Sequence, residues 1–121
     1  MNKKKVLIID DEIFIIDLIK DILSMEDIDC ISAENFESGI ELFTKEGCDL
    51  VLADKNIENS SFENFMEKFR SMNKNIPVVL MTGERGIDDE ELEKAGINEV
   101  IYKPFKMDSF LIAIKGLLEI K

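Results

Sequence analysis

Six acidic, hydroxyl and basic positions stand out for the chemistry they could share. Asp10-Asp11-Glu12 is a run of three carboxylates, while Asp54, Thr82 and Lys103 each follow a short apolar stretch. Carboxylates held close together repel one another strongly unless a cation joins them. Hard oxygen ligands with room for water are what Mg²⁺ prefers, and Mn²⁺ is served by the same donors. A carboxylate can also attack phosphorus as a nucleophile once positive charge offsets the repulsion between two anions. A dication and the Lys103 ammonium together match the three charges of Asp10, Asp11 and Asp54. The Thr82 hydroxyl adds a hydrogen-bonding group. The chain contains no histidine, which excludes Ser-His-Asp triads, His acid–base catalysis and His-ligated metals.

These positions matter only if the fold brings them together. Val6–Ile9, Cys30-Ile31, Leu50–Ala53, Val78–Met81 and Val100–Tyr102 are short apolar runs without polar alternation, as expected of buried parallel strands. Helical patterns lie between them. Glu12 to Met25 places Ile15, Leu18, Ile19 and Ile22 on one face. Phe36, Ile40 and Phe43 mark a second helix. Phe62, Phe65, Met66 and Phe69 mark a third, with Ser60 and Glu63 spaced as a capping box. Glu84 to Ala95 reads as a fourth, acidic helix closed by Gly96, and Met107, Phe110, Leu111, Ile114 and Leu118 define a fifth. Strict strand–helix alternation implies an α/β fold with helices on both faces of a parallel sheet. In such sheets ligands bind beyond the carboxyl ends of the strands. Asp10, Asp54, Thr82 and Lys103 all fall at those ends.

Composition narrows the function further. The 121 residues suit one domain, 1–121, and 45% are hydrophobic, enough for a core. Fifteen Lys and Arg stand against 26 Asp and Glu, so direct nucleic-acid binding or attachment to an anionic membrane is not expected. Charges interrupt every apolar run, and the basic start Met1–Lys5 precedes a stretch too short for a signal peptide, so a cytoplasmic location is expected. Cys30 and Cys48 leave a disulfide open on sequence alone, although reduced thiols half in the core are the expected state.

Val6 through Glu12, Cys48 through Asp54, Ile76 through Thr82, and Ala95-Gly96 through Tyr102-Lys103-Pro104-Phe105 resemble the response-regulator receiver family of two-component signal transduction. The resemblance covers essentially the whole chain, in order. It implies a flavodoxin-like doubly wound (βα)5 fold with a five-stranded parallel sheet in order 2-1-3-4-5, and a Lys103-Pro104 bond that is commonly cis. It implies that Asp54 is the phosphoacceptor and that Asp10, Asp11 and Asp54 hold Mg²⁺ or Mn²⁺ with the backbone carbonyl of Asn56. Thr82 and Lys103 then contact the phosphoryl oxygens, Thr82 and Tyr102 act as switch residues, and Asn56 and Glu84 tune the lifetime of the phosphoaspartate. The donor is a histidine kinase or phosphotransfer protein. Such a domain is not an enzyme beyond its own phosphotransfer and slow self-dephosphorylation. Two departures from the family pattern stand out. Ile57-Glu58 and Phe62 replace a usual Met-Pro pair and a later Gly, so loop 55–62 should be less rigid or differently shaped, and Gly83 replaces a small Ala.

Three other assignments compete. A haloacid-dehalogenase phosphatase also uses Asp, Mg²⁺ and Lys, but it requires Asp-x-Asp after the first strand and a cap domain. A flavodoxin-like cofactor module needs a Ser/Thr/Gly-rich phosphate loop after that strand, and none follows. A degenerate receiver that only docks would not need every site position kept. An output partner or dimer contact is expected on the face of helix 4, strand 5 and helix 5. Ile112 and Ile120 should point outward there, and an acidic helix 4 calls for a basic partner.

Overall fold

The computed structural model describes residues 3–120; the chain start at Met1-Asn2 lies outside them. Five strands, β1 (Lys5–Ile9), β2 (Asp29–Ala33), β3 (Leu50–Asp54), β4 (Val78–Thr82) and β5 (Glu99–Tyr102), alternate with five helices. These are α1 (Ile13–Ser24), α2 (Phe36–Glu46), α3 (Phe62–Met72), α4 (Asp89–Ala95) and α5 (Met107–Leu117). All strand pairs are parallel, in the order β2-β1-β3-β4-β5. The expected doubly wound sheet is present.

The period of two along each strand divides the core into two layers. Val6, Ile8, Leu50, Leu52, Val79 and Met81 face Ile16, Ile19 and Leu23 of α1 and Phe110 and Ile114 of α5. Leu7, Ile9, Val51, Ala53, Val78 and Leu80 face Phe36 and Ile40 of α2 and the Phe62, Phe65, Met66 and Phe69 stripe of α3. The second layer is aromatic: Phe36 stacks on Phe65 at 4.9 Å between ring centres, and Phe65 on Phe69 at 5.6 Å. Gly39 lets α2 come this close, because a Cβ there would fall 2.5 Å from Cδ1 of Ile9.

Three helices close in the same way. Asp27, Gly96 and Glu119 take left-handed φ values of 62°, 80° and 59°, and each is followed by an isoleucine. The N–H groups of Ile28, Ile97 and Ile120 then reach back to the carbonyls of Leu23, Leu92 and Lys115. This is the Schellman closure, in which the apolar residue after the turn folds onto the helix end. Arg70 ties the α4 closure to α3 by donating to the carbonyls of Gly96 at 2.6 Å and Ile76 at 2.8 Å.

Several sequence expectations shift along the helices. The buried stripe of α1 is Ile16, Ile19, Ile22 and Leu23, while Leu18 is exposed. The first turn, Ile13-Phe14-Ile15-Ile16, is apolar all round, so periodicity alone permits two neighbouring faces and contact with the sheet selects one. The cap of α3 is Ser61, which accepts from the Asn64 N–H, rather than Ser60, whose own N–H closes a turn onto Ile57. α4 begins at Asp89 instead of Glu84, because Gly86 takes φ 77° and Asp88 is the capping residue for the Glu90 N–H. Met107 of α5 is exposed rather than packed. Ile120 packs partly against the core instead of pointing outward, since the Glu119 turn folds it back. Ile112 is exposed as expected, at 75%. Both cysteines are free and half-buried.

Candidate functional site

Register and parity assemble the acidic rim. Ile9 pairs with Ala53, so the next residues, Asp10 and Asp54, emerge side by side at the carboxyl ends of β1 and β3. They continue the alternation of Val6-Ile8 and Leu50-Leu52, and both carboxylates are buried, Asp10 completely. Asp11 and Glu12 belong to the turn into α1 and are exposed. Ligand oxygens of Asp10, Asp11, Glu12 and Asp54 all lie within 4.8 Å of one another. Glu12, present in the acidic run but outside the expected ligand set, thus joins the cluster.

Lys103 brings the positive charge. The Lys103-Pro104 peptide is cis, and the Lys103 N–H donates to the Thr82 carbonyl at 2.8 Å. Its Nζ stands 3.2 Å from Oδ2 of Asp10, 3.5 Å from Oδ1 of Asp54 and 3.8 Å from Oε1 of Glu12. Burial acts to lower the Lys103 ammonium, but Asp10 and Asp54 outweigh it and the group is raised overall. Burial pushes the Asp54 carboxyl up, Lys103 pulls it down, and Asp10 pushes it up again; the net shift is upward. The second Asp10 oxygen accepts from the Glu12 N–H at 2.9 Å. Asp11 has no ion pair among the described residues and accepts only a long bond from the Glu58 N–H at 3.4 Å. Four carboxylates against one ammonium leave a strong local excess of negative charge in a set of hard oxygen donors. That donor set fits a hydrated divalent cation.

The remaining expected residues surround this cluster. Thr82 is fully buried at the end of β4, and its Oγ1 accepts from the Glu84 N–H at 3.1 Å, which leaves the hydroxyl proton for another acceptor. Asn56 meets Asp54 through its N–H at 3.5 Å. Tyr102 pairs with Thr82 across β4 and β5 and is half-buried. Loop 55–62 has a defined shape: Ile57 is buried, Asn59 takes φ 60°, and the Ser60 N–H closes onto Ile57. A shallow depression of about 380 Å³, lined in part by Asp11, Asn56 and Glu58, opens beside the rim.

Two contacts were not foreseen. Lys55 pairs with Glu84 at 2.7 Å, and the Arg85 guanidinium lies 4.8 Å from the centre of the Tyr102 ring. The position of Lys55 directly after Asp54 was the one available hint of the first. The second depends on the irregular course of residues 83–88.

The site is thus a buried carboxylate pair, a lysine and a hydroxyl at the carboxyl edge of an open parallel sheet. Known proteins of similar sequence and shape share one family. The family model for the response regulator receiver domain matches residues 6–115. Sporulation initiation phosphotransferase F of Bacillus subtilis is 30% identical over 122 residues, covering 100% of this chain and 98% of that protein. The phosphate regulon transcriptional regulatory protein PhoB of Escherichia coli is 26% identical over 95% of this chain but only 52% of its own length. The chain thus spans about half the length of the transcriptional regulators it matches. Among solved structures, a CheY-like receiver domain protein from Methanospirillum hungatei superposes with a TM-score of 0.90 at 25% identity, covering 98% of this chain and 95% of the other. The receiver domain of NtrX from Brucella abortus gives 0.86 at 26% identity, covering 96% and 99%. This chain belongs to the response regulator receiver family and so to two-component signalling. That membership sets aside the phosphatase and flavodoxin assignments. No helix among the described residues is long and apolar enough to cross a membrane.

Proposed function

We propose that Asp54 accepts a phosphoryl group from the phosphohistidine of a kinase or phosphotransfer protein, in a reaction that depends on Mg²⁺ held by Asp10, Asp11 and Asp54. The single observation that carries this is the buried Asp10–Asp54 pair under Lys103, with exposed Asp11 left unpaired beside it. An Asp54 carboxylate oxygen forms the new bond to phosphorus while the bond from phosphorus to the donor imidazole nitrogen breaks and its electron pair stays on the imidazole. Mg²⁺, when bound, supplies charge that neutralises the rim and the phosphoryl oxygens. Asn56 would add its backbone carbonyl to the ligands. Lys103 would pair with equatorial oxygens in a loose transition state. Thr82 would donate its hydroxyl proton only when a phosphoryl oxygen is present, and such a differential contact can shift a conformational equilibrium. Tyr102, its cross-strand neighbour, would carry that shift towards α4. Asp88 to Glu91 and Glu93 make α4 acidic, which supports an output partner with a basic surface. Ile13 and Phe14, exposed directly after Asp11-Glu12, supply an apolar rim on which a donor can settle. The setting of this reading is the cytoplasm.

Labelling with acetyl phosphate, with and without Mg²⁺, tests the proposal. Label should appear only with the metal. A chain that takes no label under either condition is a docking receiver without phosphotransfer. Mg²⁺ itself should bind at about millimolar strength, because few protein groups hold a largely hydrated ion. Resonances of Asp10, Asp11 and Asp54 should move on titration, and Asp11→Ala should weaken the response at least several-fold. An unchanged titration in that variant would remove Asp11 from the ligand set.

The phosphoryl lifetime should be seconds to minutes. Asn56 and Glu84 are the groups available to orient an attacking water, although the Glu84 carboxylate is held by Lys55. Glu84→Ala should lengthen the lifetime several-fold in a phosphate-release assay. An equal lifetime in the two proteins would show that Glu84 plays no part.

A further inference from the structure

A cavity of about 800 Å³ lies between α3 and α4, outside the acidic rim. The composition of α4 explains why the space is there. Of its residues Asp89–Ala95 only Leu92 and Ala95 are apolar, and none is buried. A helix with so little apolar surface is not drawn down onto the sheet by burial. It is held instead at its end, where Arg70 donates to the Gly96 carbonyl at 2.6 Å. The recess beneath keeps an apolar floor. Phe62, Met66 and Leu80 lie at the bottom, with half-buried Ile87, Leu92 and Ile97 around them.

The rim is charged unevenly. Its three cations are already committed: Lys55 to Glu84 at 2.7 Å, Lys94 to Glu90 at 3.9 Å, and Arg70 to main-chain carbonyls. Its three carboxylates are not. Glu63, Glu67 and Glu91 are exposed and have no ion pair among the described residues, although Glu63 accepts from the Ser61 hydroxyl at 3.3 Å.

We infer that this recess binds a small organic cation, an amine carried on an aryl or alkyl body. The floor takes the body out of water, and the ammonium stays at the rim between water and the unpaired carboxylates. An anion would have to displace Glu84 from Lys55 and would meet three free negative charges. Size and shape favour a small molecule over a peptide. Sites for such ligands enclose about 300 to 1,000 Å³, with an apolar lining and a few polar groups. Internal contacts also close both ends of the recess, Lys55–Glu84 at one and Arg70–Gly96 at the other, so a chain has no path through it. Exposed carboxylates contribute modestly in water, so the preference for a cation is several-fold and declines as salt is raised.

The test uses the unphosphorylated chain, so its outcome is independent of the acceptor role of Asp54. Phenylbutylamine, phenylbutanol and phenylbutyrate share one apolar body and differ in charge. On titration the amine should shift the resonances of Met66, Leu92 and Ile97 and saturate at about millimolar concentration, the scale for so small a ligand. The alcohol should bind several-fold more weakly and the acid more weakly still. Replacing Glu63, Glu67 and Glu91 together by Gln should bring amine and alcohol to equal affinity. Asp17→Asn, Asp21→Asn and Asp108→Asn remove the same charge from α1 and α5, across the sheet, and should leave the preference intact. Ala95→Phe, which fills the recess, should abolish binding of all three probes. Any of four results would overturn the inference: no saturable shift at these residues with the amine, equal affinity for amine and acid, a preference lost equally in the two triple variants, or a leucine–lysine amphipathic peptide that displaces the amine and binds more tightly, which would make the recess a protein-docking groove.

Discussion

Asp54→Asn is expected to reduce labelling by acetyl phosphate or by a phosphorylated kinase to background, because the amide has no carboxylate oxygen to form the acyl phosphate. The same variant should be more stable than the parent chain in metal-free buffer. Burial is the largest influence on the Asp54 carboxyl, and together with Asp10 it outweighs Lys103, so the group sits above its ordinary value. A carboxyl raised in the folded state contributes stability below its unfolded pKa and loses that contribution as pH rises through the folded value. At neutral pH ionised Asp54 therefore weighs against folding, and removing its charge relieves the repulsion with Asp10. The melting temperature of Asp54→Asn should exceed that of the parent at pH 7 without metal. The gap should narrow when Mg²⁺ is added, since the parent alone keeps the complete ligand set. Acid-labile label at full level in Asp54→Asn would move the acceptor elsewhere.

Lys103→Met should have the largest effect on stability among changes at the site. Lys103 is the ion-pair partner of both Asp10 and Asp54 among the described residues, and Asp10 has no solvent exposure. Removing one partner of a buried pair leaves an uncompensated charge, a loss of about 3 kcal/mol or more in comparable cases. Urea unfolding should show that loss at pH 7. It should shrink as pH falls, because protonating Asp54, whose carboxyl is held above its ordinary value mainly by burial, removes one of the charges Lys103 offsets, and it should shrink again with Mg²⁺. Labelling should also fall, by roughly 100-fold, the scale expected when one preorganised charge is withdrawn from a transition state. A variant as stable as the parent at pH 7 would mean that solvent already screens the pair.

The sequence by itself determined the strands and the chemistry at their ends. Apolar runs with no polar alternation fit buried parallel strands, and four of the five lead into a residue suited to the rim, so Asp10, Asp54, Thr82 and Lys103 could be picked out as candidates from local pattern. The one-residue step from the Ile9–Ala53 pair to Asp10 and Asp54 follows from a parallel ladder. Side-chain choices between neighbouring faces were different. The all-apolar first turn of α1 permitted two registers, and only the sheet decided that Ile16 is buried and Leu18 exposed. The start of α4 depended on Gly86 and Asp88 outcompeting the helix-favouring Glu84 and Arg85 before them. Contacts between residues far apart in the chain lay beyond any local pattern. Lys55 meets Glu84, Arg85 covers Tyr102, and Lys115 reaches Glu26 because loops and helix ends converge in three dimensions. Ile120 looked outward at 100° per residue, but the left-handed turn at Glu119 ends the helix first and folds it onto the core. Periodicity describes a helix only while the helix lasts, and its end is settled by how the residues just beyond it pack against the core.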